Sequence, residues 1–186
     1  IAEIGPEGTL RALGTHLSPS LIESTAVDER SAVMLLADGQ AGIVVVDLSD
    51  PPHPSLLGSL DTPGAANDVR LHGSTALVAD GPGGLVVVDV ADPHAPRLAG
   101  GVDTPGEASG VAARGDLAYV ADGKAGLQVI DLVARRLVST VDTPGFAWDV
   151  VLGERYAYVS DRPGGMLVFD LADPRSPREV GAVLSR

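Results

Sequence analysis

A unit of about 42 residues recurs along this chain, and its period restricts the fold more than any single residue does. Ala-Asp-Gly occurs at 37–39, 79–81 and 121–123, and a variant, Ser-Asp-Arg, at 160–162. Their aspartates step from 38 to 80 to 122 (steps of 42) and then to 161 (a step of 39). Asp-Thr-Pro-Gly occurs at 61–64, 103–106 and 142–145, with steps of 42 and 39. An apolar triplet closed by aspartate ends at Asp47, Asp89, Asp131 and Asp170, again with steps of 42, 42 and 39. The markers keep one period and shorten together. A period near 40 residues built from strands points to a β-propeller or a related array.

The unit at 65–103 shows how such a repeat folds. It contains four strand-like stretches: AANDVRLH, TALVA, GLVVVDV and RLAGGVD. Turn signals separate them: His72-Gly73-Ser74, Asp80 to Gly84, Asp92-Pro93-His94-Ala95-Pro96, and Asp103 to Gly106. Glycine admits positive φ, proline presets φ, and aspartate bonds turn backbone. Four short strands joined by tight turns make one propeller blade. The near-continuous apolar run of the third strand requires cover on both faces. Val44, Val45, Val46, Val86, Val87, Val88, Val129, Ile130, Leu167 and Val168 are therefore predicted to be mostly buried.

The expected fold class is all-β, a β-propeller of four-stranded antiparallel blades in a single domain spanning 1–186. Blades are predicted at about 23–61, 65–103, 107–142 and 146–185, with a partial blade at 1–20. The third unit has Val133-Ala134-Arg135-Arg136 in place of the Asp-Pro-x-x-Pro turn, which accounts for its shorter step and predicts a shorter hairpin. No segment outside 1–25 carries a helical apolar period. Ile1 to Ile4 aligns with Val87 to Val90, and Leu10 to Leu17 with Pro96 to Asp103, so residues 1–20 match the end of a third strand and a fourth strand. The expectation is a fragment of a larger propeller. Its open blade edges would pair with further sequence, a neighbouring domain or another subunit, since unpaired strand edges seek partners.

Composition excludes several function classes. Formal net charge is −12, with 13 basic and 25 acidic residues in 186. Lys124 is the only lysine, so no basic groove can track phosphates, and neither nucleic acid nor an anionic lipid surface is an expected partner. Absence of cysteine removes disulfides, thiolate metal sites and cysteine nucleophiles. No apolar run approaches the ~20 residues needed to span a bilayer, so no membrane insertion is expected. No signal peptide lies in the given residues.

Leu117-Ala-Tyr-Val-Ala-Asp-Gly and Gly126-Leu-Gln-Val-Ile-Asp-Leu resemble the LVIVD repeat. Gly84 to Pro96 matches it closely, and Gly42 to Pro54 and Gly165 to Pro177 nearly as well. The resemblance covers about 23–186. It implies a propeller of bacterial or archaeal envelope or exterior proteins that mediates binding or surface display, often within a larger polypeptide. The family carries no catalytic residues to transfer. The expected function is a non-enzymatic extracellular or cell-surface interaction module with a protein partner. Its rivals are a propeller domain of a larger secreted enzyme and a structural subunit of a surface fibre or sheath.

Two groups of residues invite a chemical reading. Asp38, Asp61, Asp80, Asp103, Asp122, Asp142 and Asp161 lie in connections that open on one face. A carboxylate ring there could hold Ca²⁺ through oxygen ligands. Strict repetition at turn positions favours the structural alternative, in which Asp38, Asp80 and Asp122 cap their own turns and hold no metal; no cofactor is expected. The second group opens the innermost strands: Asn67 and Asp68, Ser109, and Phe146, Trp148 and Asp149. The blades are otherwise uniform and differ here. Trp148 is the only tryptophan in a chain that is 3% aromatic, and tryptophan is enriched at binding hot spots. These six residues form the candidate ligand site at the channel mouth, suited to a sugar, a peptide or a cationic group. The competing role for Trp148 is to plug the channel or pack between blades. His16, His53, His72 and His94 have no metal-ligand spacing and are expected as solvated turn residues.

Overall fold

A computed structural model describes residues 20–184 and two short strands at 2–4 and 10–12. The fold is the one expected: four antiparallel four-stranded sheets follow one another along the chain, and no helix occurs among the described residues. Blade I comprises Ser24–Asp28, Val33–Ala37, Ile43–Asp47 and Ser55–Leu60; blade II comprises Asp68–His72, Thr75–Ala79, Leu85–Asp89 and Arg97–Val102. Blade III comprises Gly110–Arg114, Leu117–Ala121, Leu127–Asp131 and Arg136–Val141; blade IV comprises Phe146–Leu152, Tyr156–Arg162, Gly165–Asp170 and Arg178–Val183. Within every blade, strands pair in chain order from innermost to outermost. Ala2–Ile4 and Leu10–Ala12 pair antiparallel, with Ala2 opposite Ala12. The rest of the partial-blade alignment, at 1, 5–9 and 13–19, lies outside the described residues.

The core is a series of seams between blades. Leu35, Ile43 and Val45 of blade I meet Val69, Val78, Val86 and Val88 of blade II. Leu77 and Leu85 of blade II meet Val111, Val120 and Ile130 of blade III. Tyr119, Leu127 and Val129 of blade III meet Val150, Val159, Leu167 and Phe169 of blade IV. Successive residues of one strand thus enter opposite seams, which is why the middle strands are apolar without alternation. Eight of the ten residues predicted to be buried are so, and Val87 and Val168 are half-buried. Each fully buried Val or Leu contributes about 1.5–3 kcal/mol relative to exposure. Gln128 is the polar intruder in this pattern. It is satisfied there, donating to Ala125 O at 2.7 Å and accepting from Thr140 Oγ1 at 2.6 Å.

The shortened unit folds as predicted. Asp131 Oδ1 accepts from the N–H groups of Val133 and Ala134, and Arg135 takes a positive φ of 50°, closing a tighter hairpin than the proline turns of the other blades. No helix among the described residues is long and apolar enough to cross a membrane.

Candidate functional site

The Ala-Asp-Gly turns are junctions. Gly81 exchanges two backbone hydrogen bonds with Ala108 at the start of blade III, both 2.9 Å. Gly39 does the same with Ala66, and Gly123 with Ala147. The glycine has φ near +56° at Gly81, a region that disfavours side chains. The adjacent aspartate reaches the other way. Asp80 accepts from Thr62 Oγ1 at 2.5 Å and from Gly64 N at 2.7 Å, both in the segment leading into its own blade. Asp122 repeats this with Thr104 at 2.7 Å and Gly106 at 2.9 Å.

This corrects the expectation that these side chains cap their own turns. The turns close through backbone instead, with Gly83 N donating to Asp80 O and Ala125 N to Asp122 O. The carboxylates are released to bind a segment 16 to 18 residues upstream. The proposed ring of seven carboxylates also separates into two sets. Asp38, Asp80, Asp122 and Asp161 are buried, whereas Asp61, Asp103 and Asp142 are exposed. Burial pushes the carboxyls of Asp80 and Asp122 above the usual carboxylate range, and the threonine and glycine donors oppose that shift. No group of three or more His, Asp or Glu side chains that could hold a metal occurs among the described residues.

The starts of the innermost strands converge near the propeller axis. Ser24, Asp68, Gly110 and Asp149 occupy one register position, opposite Ala37, Ala79, Ala121 and Ser160. Glu23, Asn67, Ser109 and Trp148 precede them. Glu23, Ser24, Asn67, Asp68, Arg70, Ser109, Trp148 and Asp149 line a shallow cleft of about 150 Å³. Five of the six predicted residues therefore meet in one place. Phe146 does not line the cleft; its ring lies against Gly123 and stands 6.2 Å from that of Trp148, tilted by 40°.

Asp68 is the most constrained member, at 5% exposure. It accepts from Ser24 Oγ of blade I at 2.5 Å, from Arg70 at 2.6 Å, from Val69 N at 2.9 Å and from Val111 N of blade III at 3.0 Å. One carboxylate thus ties three blades together. Its pKa is raised chiefly by burial, with a further push from Asp149. Asn67 also reaches across, donating from Nδ2 to Ala108 O at 2.9 Å. Gly110 is glycine because Asp149 crowds it: a Cβ there would stand 2.8 Å from Asp149 Cα.

Trp148 is 40% exposed. The Arg162 guanidinium lies 3.8 Å from the centre of its ring, a cation–π contact supplied by the same blade. Arg162 stands where the other blades have the junction glycine. In blade IV the strand runs on, and Arg162 pairs with Phe146 of its own blade. The variant tripeptide Ser-Asp-Arg was the visible trace of this change. Glu23 and Ser24 left no such trace, because only blade-to-blade register brings them to the cleft, and Arg70 enters it through its ion pair with Asp68 on the same strand. Chemically, the site offers carboxylates, an amide, a hydroxyl, an arginine and an aromatic face. Ser24 donates to Asp68 Oδ1 at 2.5 Å and Ser109 to Glu107 O at 3.1 Å.

Comparison with known proteins places this arrangement. The β-propeller domain of Cps50 (Swd1) from Myceliophteria thermophila superposes with a TM-score of 0.73 at 17% identity over 96% of this chain and 62% of that one. BamB from Moraxella catarrhalis gives 0.66 at 12% identity over 90% of this chain and 51% of that one. AztD from Citrobacter koseri gives 0.60 at 17% identity over 89% and 48%. The chain thus spans less than two thirds of each of these structures, and at such identities the likeness is one of fold. The sequence matches no curated protein. The LVIVD repeat matches residues 35–62, 63–104, 105–134 and 144–185, most of the length and all four blades, so the chain belongs to the LVIVD-repeat family.

Proposed function

We propose that this chain is a non-enzymatic interaction module of the cell exterior, with its ligand held at the axial cleft. The observation that carries this reading is the convergence of unlike side chains on a uniform scaffold. Asn67, Ser109 and Trp148 occupy one repeat position on three blades, and Asp68, Gly110 and Asp149 the next. Variation on rigid elements is how a scaffold acquires a binding site. The partner is a protein that presents a polar or cationic group to Trp148, Asp149 and Asn67. The acidic surroundings disfavour phosphate-bearing ligands. The exterior location is supported by the character of LVIVD-repeat proteins.

Capture from the native envelope fraction, comparing wild type with Trp148→Ala and Asp149→Ala, tests the reading. Both variants should lose the captured partner while keeping the wild-type Tm. Unchanged capture by folded variants would remove the cleft as the binding site.

A second reading, an edge-to-edge structural array, is favoured by a different observation. Tyr158 and Met166 of blade IV are exposed, although the matching positions in the other blades are buried within seams.

A further inference from the structure

The seam between blades I and II is built like the seam between III and IV, with two aromatic rings left out. Tyr119 and Phe169 are buried in the III–IV seam. At the same register positions the I–II seam has Leu35 and Val88. A pocket of about 370 Å³ opens there, at the ends of the innermost strands remote from the axial cleft. It lies between two whole blades. Val33, Leu35, Leu71 and Val90 form its apolar wall, and their counterparts around the tyrosine are Leu117, Tyr119 itself, Leu152 and Leu171. Its size is that at which proteins hold small molecules.

The III–IV seam completes itself with two side chains of its own. Tyr119 Oη donates to Pro174 O at 2.9 Å. Arg114 closes the rim beside it, donating to Glu154 O at 2.8 Å and to Gly153 O. Burial raises the pKa of the Tyr119 hydroxyl and the Arg114 charge pulls it back, so ring and cation lie close enough to interact. Both side chains are lost at I–II. Pro93 stands in the place of Pro174, and Leu35 brings its carbonyl no hydroxyl. Asp28 takes the place of Arg114, and Gly73 that of Glu154. The rim has therefore changed sign. Asp28 is held there by Ser31 Oγ, which donates to Oδ2 at 2.7 Å, and by Arg30 N, which donates to Oδ1 at 3.0 Å. Those bonds, the serine's first, keep its carboxyl below the usual range, so it is ionised at neutral pH.

We propose that this pocket binds a small molecule in which a phenol ring carries an ammonium group. The ring takes the volume that Tyr119 fills at III–IV, and its hydroxyl donates to Pro93 O. The ammonium takes the place of the Arg114 guanidinium, between the Asp28 carboxylate and Gly73 O. The ligand supplies from outside what the other seam draws from its own chain. An aliphatic amine would leave the apolar wall unfilled, and a ring bearing a carboxylate or phosphate would meet the charge of Asp28. The site is separate from the axial cleft and stands whether or not the cleft holds a partner.

Calorimetric titration of the whole chain with tyramine tests this. Wild type should bind tyramine at one site. Phenethylamine lacks the hydroxyl and 4-methylphenol lacks the ammonium, so each should bind about tenfold more weakly. Asp28→Asn should weaken tyramine by about tenfold and leave 4-methylphenol unchanged. Leu35→Tyr grows the ring from the protein's own strand, as at position 119, and should abolish binding of every probe with Tm kept. Amide shifts of wild type on adding tyramine should gather at 28–35, 71–74 and 90–93, a reading that decides the location even where Leu35→Tyr does not fold. Trp148→Ala should bind tyramine as wild type does. Shifts confined to other residues, loss of binding in Trp148→Ala, undiminished binding by folded Leu35→Tyr, or no binding by wild type would each overturn the site. Equal affinity of Asp28→Asn and wild type for tyramine would overturn the ammonium as part of the ligand.

Discussion

Thr104 Oγ1 donates a 2.7 Å hydrogen bond to Oδ1 of Asp122, fastening the segment that enters blade III to that blade's own second turn. The same pair, eighteen residues apart, recurs as Thr62 with Asp80 and as Thr143 with Asp161. The spacing survives in blade IV because the missing residues lie elsewhere, in the hairpin at 132–135. Thr104→Val keeps shape and removes the donor, leaving a buried carboxylate one bond short. A loss of about 1–3 kcal/mol is expected by chemical denaturation, and Thr104→Ser should restore most of it. Both oxygens of Asp80 and Asp122 are committed to protein donors, so EDTA should leave Tm unchanged. A drop of many degrees would mean that a metal is held there.

The same aspartates predict an unusual response to acid. Burial raises the folded-state pKa of Asp68, Asp80 and Asp122 above the ordinary 3.8. Between that value and neutrality the native state binds more protons at these sites than the unfolded chain does. Their contribution is therefore present in full at low pH and is lost as pH rises through the raised values. Stability curves of wild type and Asp122→Asn should diverge in favour of wild type as pH falls from neutrality towards the ordinary carboxylate range. A gap that does not change with pH would refute the sign.

Asp131 and Asp170 run in the opposite sense. Backbone N–H bonds and Arg175 hold Asp131 below the usual range, and Arg155 does the same for Asp170. What they contribute is present above the ordinary value and disappears as pH falls through the lowered ones. Arg175→Ala should therefore weaken the seam between blades III and IV at neutral pH and make little difference in strong acid, as read by thermal melts at both.

Gly110→Ala is expected to be costly for a reason unrelated to flexibility. The added methyl would press on the Asp149 backbone, 2.8 Å from Cα, where no side-chain rotation can make room. Overpacking of this kind costs about 1–3 kcal/mol. The axial cleft should widen with it, so Asp149 amide shifts in an NMR spectrum are the matching local readout.

The single tryptophan gives a direct probe of its arginine neighbour. Removing the guanidinium by Arg162→Ala uncovers the face of Trp148. Emission should shift to longer wavelength and iodide quenching should rise, while Arg162→Lys should fall between variant and wild type. Emission identical in all three proteins would show that the stacked geometry does not persist in solution.

The repeat made the blades legible because each strand's apolar pattern is set locally, by two faces that both meet protein. The turn residues were legible for the same reason. Partners across a seam were not. The sequence marks Thr104 and Asp122 as repeated, but a fixed spacing of eighteen does not say that the two touch rather than each serving its own turn. Phe146 was grouped with Trp148 because residues two apart share a face of a regular strand, but the register shifts between Ala147 and Asp149, and this bulge leaves Phe146 off the cleft. Arg70 reached the cleft unseen, since only its pairing with the buried Asp68 brings it there.

The paired bonds at Gly39, Gly81 and Gly123 have an evolutionary consequence. Each joins a unit to the one that follows, and Asp80 and Asp122 bind the segment entering their own unit. An in-frame duplication of 42 residues would therefore bring along the junction bonds and the threonine–aspartate pair that a new unit needs. A chain built this way can be lengthened or trimmed in whole units without orphaning the junction bonds, and a single unit can depart from the rest, as blade IV does with arginine at 162.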